Sequence, residues 1–350
     1  MSLRLKPSRI ACLASASMAT LYLATGCLAT ACIVFATSST STAAPKVLPH
    51  SLSNKSDFEA RQQALAGVTS WAIQLRYIDR DRLAQAPVDL IVIDHARHPE
   101  DNVEHPFTSA EIEPLKMQPN GSRRLVLAYL SIGEAERYRA YWQPQWDNPA
   151  TKPRWLGAEN PRWPGDYQVK FADPDWQAVI FGKSSSYLER IMAGGFDGIY
   201  LDRVDAFQDV EATMPGAEDA MVGFVSRLAD QARRIDPKFL IVMQNAEELT
   251  RHRSILARID AVAKEDLVFG TGNSEELNPT TMVDDSVQNL RRAKRAGLKV
   301  FALEYVSEAG KVAKARELAQ REGFLIHFTE RLLGTLSLDQ PGGTPLTSPH

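Results

Sequence analysis

The 350 residues suffice for one large domain or two small ones, and 44% hydrophobic with 24% charged residues is the composition of a globular chain. A formal net charge of −3 leaves no basic footprint, which argues against nucleic acid as a partner. No cysteine follows Cys32, so the remainder carries no disulfide, thiolate metal site or Cys nucleophile.

The N-terminus opens with Arg4, Lys6 and Arg9, and from Ile10 to Ala44 there is no charged residue. A basic start, an apolar centre and a small-residue end predict a secretory signal over 1–44, and the length of the apolar run also fits an uncleaved membrane anchor. The chain is therefore expected to be exported, periplasmic or extracellular. LATGC ending at Cys27 and LATAC ending at Cys32 loosely resemble a lipoprotein box, with Leu four rather than three residues before each Cys. Any membrane attachment is expected through this segment only. Without the three leader cations, the net charge of −3 becomes −6. An acidic exported protein suits a neutral or cationic ligand.

Residues 45–66 read as a linker ending in a short helix, 67–335 as the folded domain, and 336–350 as a tail. Short apolar runs with turn residues beside them predict strands. These are WAIQL (71–75), VDLIVID (88–94), RLVLAYL (124–130), YQVKF (167–171), FDGIYL (196–201), FLIVMQ (239–244), IDAVAK (259–264) and LKVFALEY (298–305), with GFLIHF (323–328) as an extra one. Helix patterns run from Trp176 to Met192, Ala220 to Ile235, Ser286 to Ala296 and Glu308 to Glu322. In the second, Val222, Val225, Leu228, Ala229 and Ala232 form one stripe. Near-continuous apolar strands alternating with amphipathic helices predict an α/β fold, a (β/α)8 TIM-like barrel with one strand to spare. A doubly wound open sheet is the alternative. Neither GxGxxG after a strand nor GxxxxGK[ST] is present, so the usual nucleotide loops are missing and no cofactor is expected.

The strand ends carry the chemistry. VDLIVID ends on Asp94, and RLVLAYL, which contains Tyr129, leads to Ser131, Glu134 and Glu136. FDGIYL, which contains Tyr200, leads to Asp202 and Asp205. FLIVMQ leads to Asn245 and Glu248, IDAVAK to Glu265, and LKVFAL to Glu304 and Tyr305. In a barrel these converge on the C-terminal mouth, where catalytic groups sit. Crowded carboxylates raise one another's pKa, so some hold protons at neutral pH. A pair of carboxylates is the working unit of glycoside hydrolysis. Competing readings remain for several. Ser131 with Glu134 forms a capping-box pattern, Asn245 with Glu248 a related one, and Asp94 could cap a helix or bind a loop backbone. Asp197, at the other end of its strand, reads as structural. The stretch Asp94–His105 holds His95 and His98 three apart, but Pro99 and Pro106 flank it, which favours a solvated loop over a metal site. Trp142, Trp146, Trp155, Trp163 and Trp176 cluster in a Pro- and Gly-rich stretch, either to pack it down or to stack sugar rings.

LAYLSIGEAERYRAYW (127–142), WLGAEN (155–160), GFDGIYLDRVDAF (195–207) and FALEYV (301–306) resemble glycoside hydrolase family 114 and its relatives, extracellular proteins related to endo-α-1,4-polygalactosaminidases. The resemblance spans roughly residues 70–330. It implies a TIM-like barrel, an endo-acting glycosidase and a polysaccharide substrate containing galactosamine. It also implies a catalytic pair, Asp202 and Glu265, with Asp202 as nucleophile or base and Glu265 as acid. Asp94, Tyr129, Glu134, Glu136, Tyr200, Asp205, Asn245, Glu304 and Tyr305 would line the cleft. VKFADPDW departs from the pattern by placing Ala172 where an aromatic is usual. The rival functions are a non-catalytic carbohydrate-binding barrel and a metal-dependent deacetylase built on the His95 region.

Overall fold

A computed structural model describes residues 55–97, 104–271 and 274–338. The leader, its cysteines, His98 and the end of the tail lie outside the described residues.

Strands buried on both faces need apolar side chains throughout, and eight such segments form one parallel sheet. In chain order they are β1 (Trp71–Gln74), β2 (Leu90–Ile93), β3 (Leu125–Ser131), β4 (Gly198–Asp202), β5 (Leu240–Gln244), β6 (Ala261–Glu265), β7 (Lys299–Glu304) and β8 (Leu325–Phe328). Each pairs with its neighbour in sequence. The Trp71 indole N–H donates to Leu325 O at 2.9 Å, and Leu75 N to Leu333 O at 2.8 Å, drawing β1 and β8 together. The result is the (β/α)8 barrel.

Two corrections concern the strand count. YQVKF is not a barrel strand. Asp166–Val169 is the centre of a three-stranded antiparallel sheet with Glu134–Glu136 and Leu156–Glu159, inserted between β3 and β4. Its residues are mostly half-buried or exposed, which the interior of a parallel sheet does not allow. GFLIHF is the eighth barrel strand, so nothing is spare. The helix expected over 176–192 is two, Pro174–Ile180 and Tyr187–Ala193, separated at Gly182 (φ +101°) and the serines after it. The other long helices are Ala217–Ile235, Thr280–Arg295 and Ala309–Glu322.

Side chains alternate between two cores. Ile73, Val92, Leu127, Tyr200, Val242, Ala263 and Phe301 fill the barrel interior. Ile91, Val126, Ile199, Ile241, Val262 and Ala302 face the helices, against Phe224 and Leu228. Counting two residues along from the interior set reaches Asp94, Tyr129, Asp202, Gln244 and Glu265 at the C-terminal mouth. At the opposite end, the helix Lys55–Ala66 sends Arg61 into the protein, where its Nε donates to Asp260 at 2.8 Å and Nη1 to Pro237 O at 2.8 Å. Asp197 is structural there, accepting from Val126 N at 2.9 Å and pairing with Lys116 and Arg123.

Gly198 shows how tightly β4 and β5 meet. A Cβ on it would lie 2.4 Å from Leu240 O, 2.6 Å from Leu240 Cβ and 2.9 Å from Leu240 C, so it would meet the backbone of β5 directly. Gly198→Ala is therefore expected to destabilise the fold by about 2–3 kcal/mol, read from urea unfolding. A loss under about 0.5 kcal/mol would mean that the two strands separate freely.

Candidate active site

The strand ends and their loops enclose a cleft of about 1220 Å³. Asp202 closes β4 and Glu265 closes β6; both are half-buried in its wall. Each is held by a tyrosine from a neighbouring strand. Tyr129 OH donates to Asp202 Oδ2 at 2.6 Å, and Arg203 N donates to Oδ1 at 2.7 Å. Tyr305 OH donates to Glu265 Oε1, and Asn245 Nδ2 to Oε2 at 3.1 Å. Burial raises Asp202 to a pKa of about 7, with the Glu265 charge as the second cause. Burial also raises Glu265, against its bonds from Tyr305 and Asn245. Both carboxyls are thereby biased toward their protonated forms, and the Glu265 charge reaches Asp202.

The backbone around the mouth is strained. Among the described residues, the non-glycine ones with positive φ are Tyr77, Arg203, Asn245, Ala246, Asp266 and Leu333. All follow the C-terminal ends of β1, β4, β5, β6 or β8, the face where strain collects when it serves a site. Asp266 is fixed by Arg331 through bonds of 2.9 and 3.0 Å.

The other acids sort by partner. Glu134 accepts from Asn160 Nδ2 at 2.9 Å and lies 3.3 Å from Arg203 Nε; burial raises its pKa. The capping box expected for it does not form, because Glu134 starts a strand and Ser131 Oγ bonds its carbonyl instead. Asp205 is bound by Arg203 Nη1 at 3.1 Å. Asp94 accepts from Ala96 N at 3.0 Å, the loop-backbone role, and pairs with Arg139 at 2.8 Å. Glu136 accepts from Arg139 Nε at 2.7 Å. These four line the cleft together with Tyr129, Asn245 and Tyr305.

Tyr200 and Glu304 do not. Tyr200 faces the barrel interior, buried beneath the pair, its ring 6.2 Å from Trp71. Glu304 lies on the outward side of β7, fully buried, and accepts from Val268 N at 2.7 Å and Phe269 N at 3.2 Å. It fixes the loop after β6. The solvated loop expected around His95 is buried at His95 itself, while His105 is exposed and residues 98–103 lie outside the described residues. His95 is 1% exposed, its Nδ1 3.0 Å from Tyr187 OH and its Nε2 3.3 Å from Glu104. Among the described residues, no cluster of His, Cys, Asp and Glu has the makings of a metal site. Of the tryptophans, Trp142, Trp146, Trp155 and Trp176 pack in a chain with ring centroids 4.9–5.4 Å apart, whereas Trp163 lines the cleft.

Sequence reasoning missed several cleft residues, among them Tyr77, Asp166, Asp209 and Gln244, and of these Asp166 bears most on the chemistry. It opens the centre strand of the inserted sheet, and its Oδ1 is buried without a hydrogen bond. Burial, then the charges of Glu136, Glu134 and Asp202, push it up to about 8. A carboxyl raised in the folded state binds its proton more tightly there than in the unfolded chain. Its contribution is full below the ordinary carboxylate range and is lost as pH rises through about 8. Asp166→Asn should then leave the Tm unchanged near pH 4 and raise it by about 2–4 °C at pH 9. Equal melting of the two proteins at pH 9 would show that Asp166 is ionised without cost.

Residues 52–342 match the profile of glycoside-hydrolase family GH114. The chain is 34% identical over 306 residues to an uncharacterized protein of Deinococcus radiodurans, covering 86% of this chain and 93% of that one. It is also 34% identical over 253 residues to the uncharacterized protein MJ1477 of Methanocaldococcus jannaschii, covering 69% of this chain and 67% of that one. In fold it is similar to the glycoside hydrolase domain of PelA from Pseudomonas aeruginosa, with a TM-score of 0.56 and 22% identity, over 77% of this chain and 97% of that domain.

Proposed function

Because the chain belongs to glycoside-hydrolase family GH114, we propose that its cleft hydrolyses a polysaccharide containing α-1,4-linked galactosamine, cutting within the chain and using Asp202 and Glu265 as the catalytic pair. The observation that supports this most is the pairing itself. Two half-buried carboxyls stand at the mouth on β4 and β6, with β5 between them, each oriented by a tyrosine, both shifted toward holding a proton. Glycoside cleavage needs one protonated and one ionised carboxyl at once, and a pair sharing one proton supplies that state.

In this reading Glu265 gives its proton to the leaving oxygen. The Glu265 charge is one cause of the rise at Asp202. With the proton on Glu265 that cause vanishes, and the donors Tyr129 OH and Arg203 N hold Asp202 ionised, ready to attack the sugar carbon or to activate water. Tyr305 and Asn245 orient Glu265. The amino-sugar preference rests on charge: nine acids line the cleft against five arginines, and with Asp166 protonated and one proton on the pair seven anions still face five cations, a surface that attracts ammonium groups. Export through the leader would bring the protein to such a polymer outside the cell.

The test is incubation of the purified protein with two polymers, α-1,4-galactosamine and its N-acetylated form, with products followed by mass spectrometry. Short oligosaccharides from the first and few from the second are expected. Binding to either polymer without cleavage would favour a carbohydrate-binding barrel.

A further inference from the structure

One rim of the cleft carries an aromatic ring that the carboxyl pair does not use. Tyr77, after β1, is 85% exposed and adopts φ +51°. A bulky residue in the left-handed region costs on the order of 1–3 kcal/mol. Burial does not offset that cost, since the ring stands in solvent. One edge rests against Gly334, where an added Cβ would lie 3.0 Å from Tyr77 Cδ2 and 3.3 Å from Cε2. The lip beneath is firmly held. Gln74 Nε2 donates to Arg76 O, Tyr77 O and Gly334 O at 3.0, 3.1 and 3.0 Å, and Arg76 N donates to Leu333 O at 3.1 Å. Leu332, 58% exposed, extends the apolar lip. Trp163 lines the same cleft from the sheet inserted after β3. The cleft, at about 1220 Å³, is larger than the roughly 300–1,000 Å³ of a site for one small molecule.

We propose that Tyr77 and Trp163 are stacking platforms for two separate sugar rings of one glycan chain, holding it across the mouth so that an internal bond meets Asp202 and Glu265. A pyranose ring offers an apolar C–H face, and an exposed ring fixed on a rigid lip meets it with little ordering cost. This rests on the glycosidase reading of the cleft and names which residues set its preference for a chain. Both residues act on binding and stand apart from the bond that breaks.

The experiment measures kcat and KM on an α-1,4-linked galactosamine hexasaccharide for the full-length wild type, Tyr77→Gly, Tyr77→Phe and Trp163→Ala. Tyr77→Gly and Trp163→Ala should each raise KM about tenfold, with kcat within about twofold. Tyr77→Phe keeps the ring and should behave as wild type. Tyr77→Gly suits the left-handed backbone, so its Tm should equal or exceed that of wild type while its KM worsens. That combination separates a platform from a merely structural tyrosine. Unchanged KM in Tyr77→Gly and Trp163→Ala, with the wild type cleaving the hexasaccharide, would overturn the platforms and leave the glycosidase reading intact. A wild type that neither binds nor cleaves it would remove both.

Discussion

Asp202→Asn is expected to lower turnover by about 10³-fold or more, and Glu265→Gln by a comparable factor. Both replacements are close in size, so they change protonation rather than packing. The amide that replaces the Asp202 carboxyl could still accept from Tyr129 OH through its single oxygen, but it can neither attack nor take a proton. Folding should survive and improve at alkaline pH. The folded Asp202 has a pKa of about 7, above the ordinary value of 3.8, so its contribution to stability is lost as pH rises through about 7. The amide does not suffer that loss. Asp202→Asn should therefore match the wild type in melting near pH 4 and exceed it at pH 8, an opposition of stability and activity that marks a functional residue. The wild-type rate should decline on the alkaline side, once Glu265, whose pKa burial raises above the ordinary carboxylate range, has lost its proton. Near wild-type turnover in either variant, measured as reducing ends released, would remove that residue from the mechanism.

Arg139→Met carries the second large effect, on stability. Arg139 is buried, with Nη1 2.8 Å from Asp94 and 3.4 Å from Glu104 and its Nε 2.7 Å from Glu136. Its guanidinium lies 4.8 Å from the Tyr138 ring centre and 5.3 Å from that of Tyr187. Removing the cation leaves three buried carboxylates facing one another, and breaking a buried pair from one side costs about 3–5 kcal/mol. Lysine cannot reproduce the fork, so Arg139→Lys should recover only part of this. Activity should fall as well, because Asp94 and Glu136 form the cleft wall. Urea unfolding of the full-length protein measures the loss. A change below about 1 kcal/mol would mean that the acids take up protons or water at no cost.

The sequence revealed the barrel because strands buried on both faces are written as unbroken apolar runs. The same property hid the facing of individual residues. In LKVFALEY, Phe301, Leu303 and Tyr305 point inward while Ala302 and Glu304 point outward, yet the run Val300–Leu303 is apolar on both faces. Glu304 thus looked like a cleft acid and instead braces the loop after β6. Counting by twos back from Asp202 would have placed Tyr200 beneath the site. YQVKF misled for the opposite reason: its apolar residues are too few for burial on two faces, and it forms an antiparallel insert. Asp166 carried no local signal, since its neighbours Glu134 and Glu136 lie some thirty residues away in sequence and meet it only through that insert. His95 was read as solvated from its flanking prolines, but long-range partners, Tyr187 and Glu104, bury it. The strand-end acids Asp202 and Glu265 reach the mouth because each lies two residues beyond an inward-facing residue, Tyr200 or Ala263, a register that Glu304 does not share.

If a glycan chain crosses the mouth with its scissile bond between Asp202 and Glu265, a crystal structure of Asp202→Asn with an α-1,4-linked galactosamine hexasaccharide will show it. An internal glycosidic oxygen should lie within about 3 Å of the Glu265 carboxyl, with the adjoining anomeric carbon facing the substituted position on β4. A chain seated away from both positions, or one whose internal linkages all lie beyond hydrogen-bond reach of Glu265, would contradict it.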